Sequence, residues 1–284
     1  GTKVNEHFEG CIDDVVLYRS ALTPQEVNNV INGIYDPIVT MIDLGSPANS
    51  TDGSTWSDDA PAHGNAHYTI PASGNLRGES GTSTFPGASL TVEAGGKFQV
   101  RALDGSDEAT TVDNLILSGG AGFGAGQFAQ LAAGTGNNDI NLLNGTITQS
   151  GATRLVTYGG STNRRLKVAS RINGSGTLQL VGEGAIIDNQ GNTFSGTWEV
   201  ASGATLTFYN ASSVGSADID VENGGHLIIQ GNWDIGAELT VADASNTTVD
   251  LGNYAWTVSN LVFGGSPVTG GIYTASALNA LGSN

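Results

Sequence analysis

Basic side chains are scarce in this sequence. Its 284 residues include 10 Lys+Arg against 27 Asp+Glu, which gives a formal net charge of −17 at pH 7. Proteins that bind nucleic acid generally do so through ion pairs to phosphate, and a chain this acidic repels a duplex. The charge therefore excludes a general nucleic-acid-binding protein.

Cysteine and long apolar runs are also missing. Cys11 is the single cysteine, so no disulfide forms within the chain. No apolar run approaches the roughly 20 residues of a membrane-spanning helix, and no signal sequence opens the chain. We expect no membrane insertion, and we interpret the chain as a piece of a longer protein that is secreted or lies at the cell surface.

Glycine is abundant, with 42 residues, beside 38% hydrophobic residues. Together with many Ser, Thr and Asn residues, this composition is typical of short strands joined by tight turns. Long helical bundles are disfavoured.

Four stretches share a strand pattern, a turn of small residues and a second strand pattern. They are residues 89–100, 197–208, 218–229 and 238–249. Val200, Val221 and Val241 recur at steps of about 20 residues, and Val92 precedes Val200 by close to five such steps. A fixed period of this kind indicates a solenoid. Apolar and polar residues alternate in each copy, as strands with one inward face require.

We therefore predict an all-β fold, a right-handed parallel β-helix with coils of about 20 residues, over residues 38–284. Residues 85–263 would form about eight or nine coils, a rod roughly 40 Å long at ~4.8 Å per coil. A β-sandwich also fits frequent turn signals. The long-range repeat favours the solenoid.

Three motifs within the repeats carry a family resemblance. They are GSGTL at 174–178, NTFSGT at 192–197 and ASGATL at 201–206. These motifs resemble the autotransporter-associated β-strand repeats of large exported bacterial proteins. The Trp-containing opening at 55–57 and residues 84–92 look like parts of multimodular surface proteins of polysaccharide-degrading bacteria. The resemblance implies an exported bacterial protein in which such repeats lie beside glycan-active modules.

Residues 1–37 have a different pattern. Ile12–Tyr18 predicts a strand, and Thr23, Pro24 and Glu26 form a capping box that predicts a short helix. This segment resembles the closing strand and helix of a laminin-G-like, concanavalin-type domain. We interpret residues 1–37 as the C-terminal remnant of such a domain. The resemblance brings no sugar or calcium site with it, because the loops that bear those sites would precede residue 1.

Catalytic and cofactor motifs are incomplete. The alternating glycines at 120–126 lack the G-x-G-x-x-G spacing, and no G-x-S-x-G is present. His63 and His67 lie in a Pro- and Gly-containing stretch that favours a polar loop over a metal-binding helix. We expect no cofactor.

Asp218, Asp220 and Glu222 imitate the beginning of a calcium-binding loop. The twelfth position, where a bidentate carboxylate belongs, is Ile229. At a period of two these acids line one outer strand face. We interpret them as a solvated face, with weakly bound Ca²⁺ as the alternative.

Half of all basic residues lie within 18 positions. They are Arg154, Arg164, Arg165, Lys167 and Arg171. Leu166 and Val168 take the inward parity, which turns Arg165, Lys167 and Arg171 outward together. The outward set would span roughly 20 Å and could bind sugars that carry sulfate or carboxylate. The alternative is a ladder of salt bridges between coils.

Aromatic rings are the other means of holding sugars. Three of them lie in turn-like contexts where exposure is expected, namely Trp56, Tyr68 and Tyr209. Three others share the parity of apolar neighbours and are expected in the core or at the ends of coils, namely Trp198, Trp233 and Trp256.

These features favour a non-catalytic polysaccharide-binding module of a secreted multimodular bacterial protein, with an anionic polysaccharide as one option for the partner. A structural spacer or adhesin passenger is the second hypothesis. A β-helix polysaccharide lyase or hydrolase is the third. A solenoid end also exposes strand edges, so end-to-end self-association is a further option.

Overall fold

The computed structural model describes residues 24–31, 38–44, 47–64, 66–101, 109–134, 140–157, 165–189, 191–242, 246–252, 254 and 256–269. In these ranges the chain forms one α-helix, α1 (Pro24–Ile31), and 24 strands. The first twelve strands are β1 (Ile38–Thr40), β2 (Ala48–Asn49), β3 (His67–Ile70), β4 (Asn75–Arg77), β5 (Ser83–Thr84), β6 (Ser89–Glu93), β7 (Lys97–Val100), β8 (Ala109–Ser118), β9 (Ala129–Ala133), β10 (Ile140–Ser150), β11 (Ala152–Val156) and β12 (Arg165–Val168). The others are β13 (Arg171–Gly174), β14 (Thr177–Val181), β15 (Ala185–Ile187), β16 (Thr193–Phe194), β17 (Thr197–Val200), β18 (Thr205–Phe208), β19 (Asp218–Val221), β20 (His226–Ile229), β21 (Trp233–Val241), β22 (Thr248–Asp250), β23 (Trp256–Phe263) and β24 (Ser266–Pro267).

The helix begins at Pro24, as the capping box predicts. Proline suits the first helical position because its φ is already fixed near the helical value and its missing N–H has no partner there. The predicted strand Ile12–Tyr18 lies outside the described residues.

The strands stack in parallel and form three faces of a solenoid. The first face consists of β1, β3, β6, the second halves of β8 and β10, β13 and β16. Farther along the rod, the first halves of β21 and β23 pair in parallel with each other. The second face consists of β2, β4, β7, β9, β11, β14, β17, β19 and the second halves of β21 and β23. The third face consists of β5, the first halves of β8 and β10, β12, β15, β18, β20 and β22. The predicted parallel β-helix is confirmed.

The length of a coil changes along the rod. Leu178, Trp198, Ile219 and Leu239 are stacked partners, and each step between them is about 20 residues. Towards the N-terminus, the step from Phe98 to its partner Leu131 is more than one and a half times as long. The predicted period therefore holds in the C-terminal half, and longer connections enlarge the earlier coils.

Three of these longer connections occur at one corner. The chain passes from the second to the third face through residues 101–108, 134–139 and 157–164 in three consecutive coils. The three coils that follow use only residues 182–184, 201–204 and 222–225. Length variation at this corner leaves the strands of both faces in register.

One part of the repeat alignment is wrong. Val200, Val221 and Val241 lie on the second face, but Val92 lies on β6 of the first face. The turn after Val92 joins the first face to the second, whereas the turns after the other three valines join the second face to the third. Both corners use a glycine with positive φ, Gly95 and Gly203 among them, which makes their sequences alike.

The core fills the interior of the coils with stacked apolar residues. On the second face the inward column Leu131, Leu155, Leu180, Val200 and Val221 is almost completely buried. Each of these side chains packs on an apolar side chain of the next coil, so the core is continuous along the rod.

The two ends of the described rod differ. At the N-terminal end, Met41 and Trp56 form an antiparallel bridge and both are buried. At the C-terminal end, β24 pairs antiparallel with the end of β23. No helix in the described ranges is long and apolar enough to cross a membrane.

Candidate functional site

The structure distributes the predicted basic cluster over three faces. Arg154 lies on β11 of the second face, Arg165 and Lys167 lie on β12 of the third, and Arg171 lies on β13 of the first. The chain bends at Ser170, between β12 and β13. Residues of equal parity on the two sides of this bend belong to different faces, so the expected single outward row is wrong.

Lys167 forms an ion pair between coils. Its Nζ lies 2.8 Å from Asp188 Oδ2 and 5.9 Å from the centre of the half-buried Tyr209 ring. This contact matches the salt-bridge alternative. Arg165 and Arg171 are exposed, and Arg164 lies outside the described residues.

The guanidinium of Arg154 packs against two aromatic rings. Its central carbon lies 4.2 Å from the centre of the Phe128 ring and 5.3 Å from that of Phe123. Its Nε donates a hydrogen bond to Gln179 Oε1 at 2.6 Å. Cation–π contacts and this hydrogen bond together fix the side chain on the outside of the second face.

Trp56 and Tyr68 are fully buried, so their expected exposure is wrong. Trp56 Nε1 donates to the Ser50 carbonyl at 2.9 Å, and the His63 amide donates to the Tyr68 hydroxyl at 2.8 Å. The two rings meet edge-on with centres 4.6 Å apart. Trp56 follows a short 3₁₀ turn and Tyr68 lies on β3. Both rings fill the core of the first coils, because burying them removes a large apolar area from water.

Trp198 lies in the core, as its parity predicts. It is fully buried, and the rings of Phe194 and Phe208 each have their centres 5.2 Å from its own. Trp256 is half-buried on the last parallel coil. The side chain of Trp233 lies outside the described residues.

A row of polar side chains follows the second face, one from each coil. From β7 to β19 this second-face row is Lys97, Gln130, Arg154, Gln179, Glu199 and Asp220. Gln179 connects its two halves, because it accepts a hydrogen bond from Arg154 and donates one to Glu199.

The charge on the second face changes sign along the rod. Its first five strands, β2 to β11, carry Arg77, Lys97 and Arg154 and no acid. Its last five, which are β14, β17, β19 and the second halves of β21 and β23, carry only acids among the charged residues, namely Glu199, Asp218, Asp220 and Glu238. Sequence reasoning missed this pattern because coils of unequal length hide which residues share a row.

An open groove of about 700 Å³ lies where the second face turns into the third. It is lined by Ser202, Asp220, Glu222, Asn223, Ala242 and Asn246. Burial and the nearby carboxylates of Glu199 and Glu238 raise the pKa of Asp220. Burial, the charge of Glu199 and a hydrogen bond with it raise the pKa of Glu222. The groove therefore presents crowded carboxyl groups, a hydroxyl and amides.

The acids of the calcium hypothesis have protein partners in part. Asp218 Oδ1 accepts the backbone N–H of Glu238 at 2.8 Å. In the part of the chain that the structure describes, no group of three or more His, Cys, Asp or Glu side chains could hold a metal ion. Weak calcium binding stays a prediction.

Comparison of the chain with family models, with curated proteins and with solved structures found no match. The resemblances to autotransporter-associated repeats and to a laminin-G-like remnant stay predictions.

Proposed function

We propose that this chain is a rigid structural rod, the spacer or passenger segment of a secreted or surface-exposed protein. The observation that carries the proposal is the use of outward side chains to join one coil to the next. Four such hydrogen bonds, at 2.6–2.8 Å, are Gln99 to Asn75, Thr193 to Asn173, His226 to Thr248 and Asn260 to Glu238.

These bonds stiffen the rod because each crosses a junction between coils. A hydrogen bond of this kind contributes a net stability of about 1 kcal/mol. The Lys167–Asp188 ion pair and the contacts of Gln179 act in the same way. These outward side chains thus join neighbouring coils to each other, as a rigid spacer requires.

The rigidity can be measured as a distance between two spin labels. In a Cys11→Ser background, Ser80→Cys and Ser259→Cys place labels at exposed positions near the two ends of the described rod. We expect a single narrow distance distribution near roughly 40 Å, since about eight coil steps of ~4.8 Å separate the two positions. A distribution as broad as that of a flexible linker of similar length would contradict the proposal.

Polysaccharide binding is the second candidate, and the groove favours it. The groove side chains are almost all hydroxyl, amide or carboxyl groups, which are suited to hydrogen bonds with sugar hydroxyls. Affinity gel electrophoresis with neutral and anionic polysaccharides tests this function. Retardation that Asn246→Ala abolishes would locate binding in the groove.

The exposed arginines give the matched comparison. If binding instead disappears in the Arg165→Ser, Arg171→Ser double variant and weakens with salt, the basic residues are the site. If no polysaccharide alters the migration of the protein, the result would favour the spacer function over polysaccharide binding.

A further inference from the structure

We propose that two copies of this chain pair side by side, in antiparallel orientation, through their second faces. The starting point is the reversal of charge along that face. Lys97 and Arg154 lie in its first half, and Glu199 and Asp220 lie in the same row of its second half. A two-fold axis near β14 places Arg154 of each copy over Glu199 of the other and Lys97 over β21, which carries Glu238.

The orientation follows from the same charges. In a parallel pair, cations would face cations and acids would face acids. In the antiparallel pair Arg154 faces Glu199 of the second copy, because both lie one coil away from Gln179 in opposite directions. The net charge of −17 opposes the approach of two copies, so only the orientation with complementary halves gives local attraction.

Two apolar side chains lie beside the polar row near the centre of the face. Val156 and Val181 are stacked partners on β11 and β14. They share the outward parity of Arg154 and Gln179, and both are half-buried. A pair of apolar side chains among polar and charged ones gives this face the mixed character of a non-obligate protein–protein interface.

The second face is also large enough for a specific interface between two copies. Ten strands spaced by ~4.8 Å, each with about four residues at ~3.3 Å, give a face of very roughly 600 Å². Two such faces would bury on the order of 1,200 Å² in total, the lower end of the range for specific interfaces. We therefore expect a reversible dimer of moderate affinity.

Exchange of charges tests the arrangement. Variant A carries Lys97→Glu and Arg154→Glu, and variant B carries Glu199→Lys and Asp220→Lys. Each variant alone faces like charges across the antiparallel pair, so its dimer dissociation constant should rise at least roughly tenfold. In a mixture, the acidic row of A faces the basic row of B on both sides of the axis. The A–B heterodimer should form with about wild-type affinity.

Sedimentation equilibrium at physiological salt gives the constants, and thermal unfolding checks that A and B fold. Arg165→Glu with Arg171→Glu is the matched control, because these exposed arginines lie on the other two faces, and it should dimerise as the wild type does. A wild type that is monomeric at the highest concentrations measured would overturn the proposal. Two other results would overturn it. One is a dimer dissociation constant of A and of B equal to that of the wild type, which end-to-end association predicts. The other is a mixture of A and B that does not restore dimer formation.

Discussion

At the scale of single residues, Trp198 joins several parts of the core. Its Nε1 donates to the Val214 carbonyl at 3.0 Å, and two rings pack edge-on against it. We expect Trp198→Phe to lower the free energy of unfolding by about 1–3 kcal/mol, because the carbonyl loses its donor and a small cavity forms. Urea unfolding measures the change. Tyr254→Phe, at an exposed position, is the control and should leave stability unchanged.

His63 gives a pH-dependent contribution. Its pKa is raised by the Gly64 carbonyl that its ring contacts, and further by Asp58, whose Oδ2 lies 3.2 Å from Nε2. A raised pKa means that the folded state favours the protonated ring. The contribution to stability is therefore complete below the ordinary value near 6.5 and is lost as the pH rises through the folded-state pKa.

The matching experiment compares thermal stability with pH for the wild type and His63→Gln. The variant should lose the small decline of stability above about pH 6.5. An identical profile in both proteins would show that the ring does not titrate differently on folding.

Parity predicted the burial of Trp198 but not that of Trp56. Trp198 lies on β17, two positions before the inward Val200, so the alternation of a strand fixes its direction. Trp56 follows a short 3₁₀ turn, where no alternation applies, and pairs with Met41 through a single bridge. Its burial depends on how the first coils close, which is a tertiary property.

At the scale of elements, the corners depend on glycines that touch the next coil. A Cβ on Gly196 would overlap the Gly176 carbonyl oxygen, whereas a Cβ on Gly184 would meet only ordinary contacts at 3.8 Å. We expect Gly196→Ala to cost several kcal/mol of stability, because backbone of two stacked coils must separate. Gly184→Ala should change stability by less than about 1 kcal/mol. Equal unfolding midpoints for the two variants would contradict this.

Carboxylates in the acidic half of the second face repel one another. The pKa of Asp220 is raised by burial and by Glu199 and Glu238, so its ionised form destabilises the folded state at neutral pH. We expect Asp220→Asn to raise the free energy of unfolding at pH 7 by a few tenths to about 1 kcal/mol. The gain should shrink as the pH falls and the wild-type carboxyl becomes protonated. Denaturant unfolding at pH 7 and pH 4 measures both values.

The sequence predicts these elements well where the coils are regular. From β14 onward the nearly constant step of about 20 residues identifies stacked partners directly. Earlier coils carry longer connections, and there the similarity of two glycine corners led to Val92 being matched with residues of another face. Local chemistry specifies a turn, but not which corner of the solenoid that turn occupies.

At the scale of the whole molecule, stability should depend on position along the rod. Leu180 is buried between coils on both sides, whereas Val258 is half-buried on the last parallel coil. We expect Leu180→Ala to cost about 2–5 kcal/mol and Val258→Ala less than half as much, because Val258 is only half-buried and its truncation removes less apolar contact. Urea unfolding compares them. Equal losses would argue against a stability that is the sum of neighbouring coils.

The fold class could be predicted from the repeat, but the charge pattern of the second face could not. The solenoid follows from alternation and period, which are local and periodic properties of the sequence. The row that joins Lys97 to Asp220 depends on the number of residues in every intervening connection. Likewise, the dispersal of Arg154, Lys167 and Arg171 over three faces depends on where the chain bends.

The corner between the second and third faces offers insertion sites at regular intervals along the rod. The connection there changes from three residues to eight between coils while the strands stay in register, and a Cβ at the exposed Gly203 would meet no other atom within 4 Å. Foreign peptides grafted into successive connections would stand on one edge at intervals of ~4.8 Å. The protein would then hold two inserted peptides at a separation that can be chosen one coil at a time.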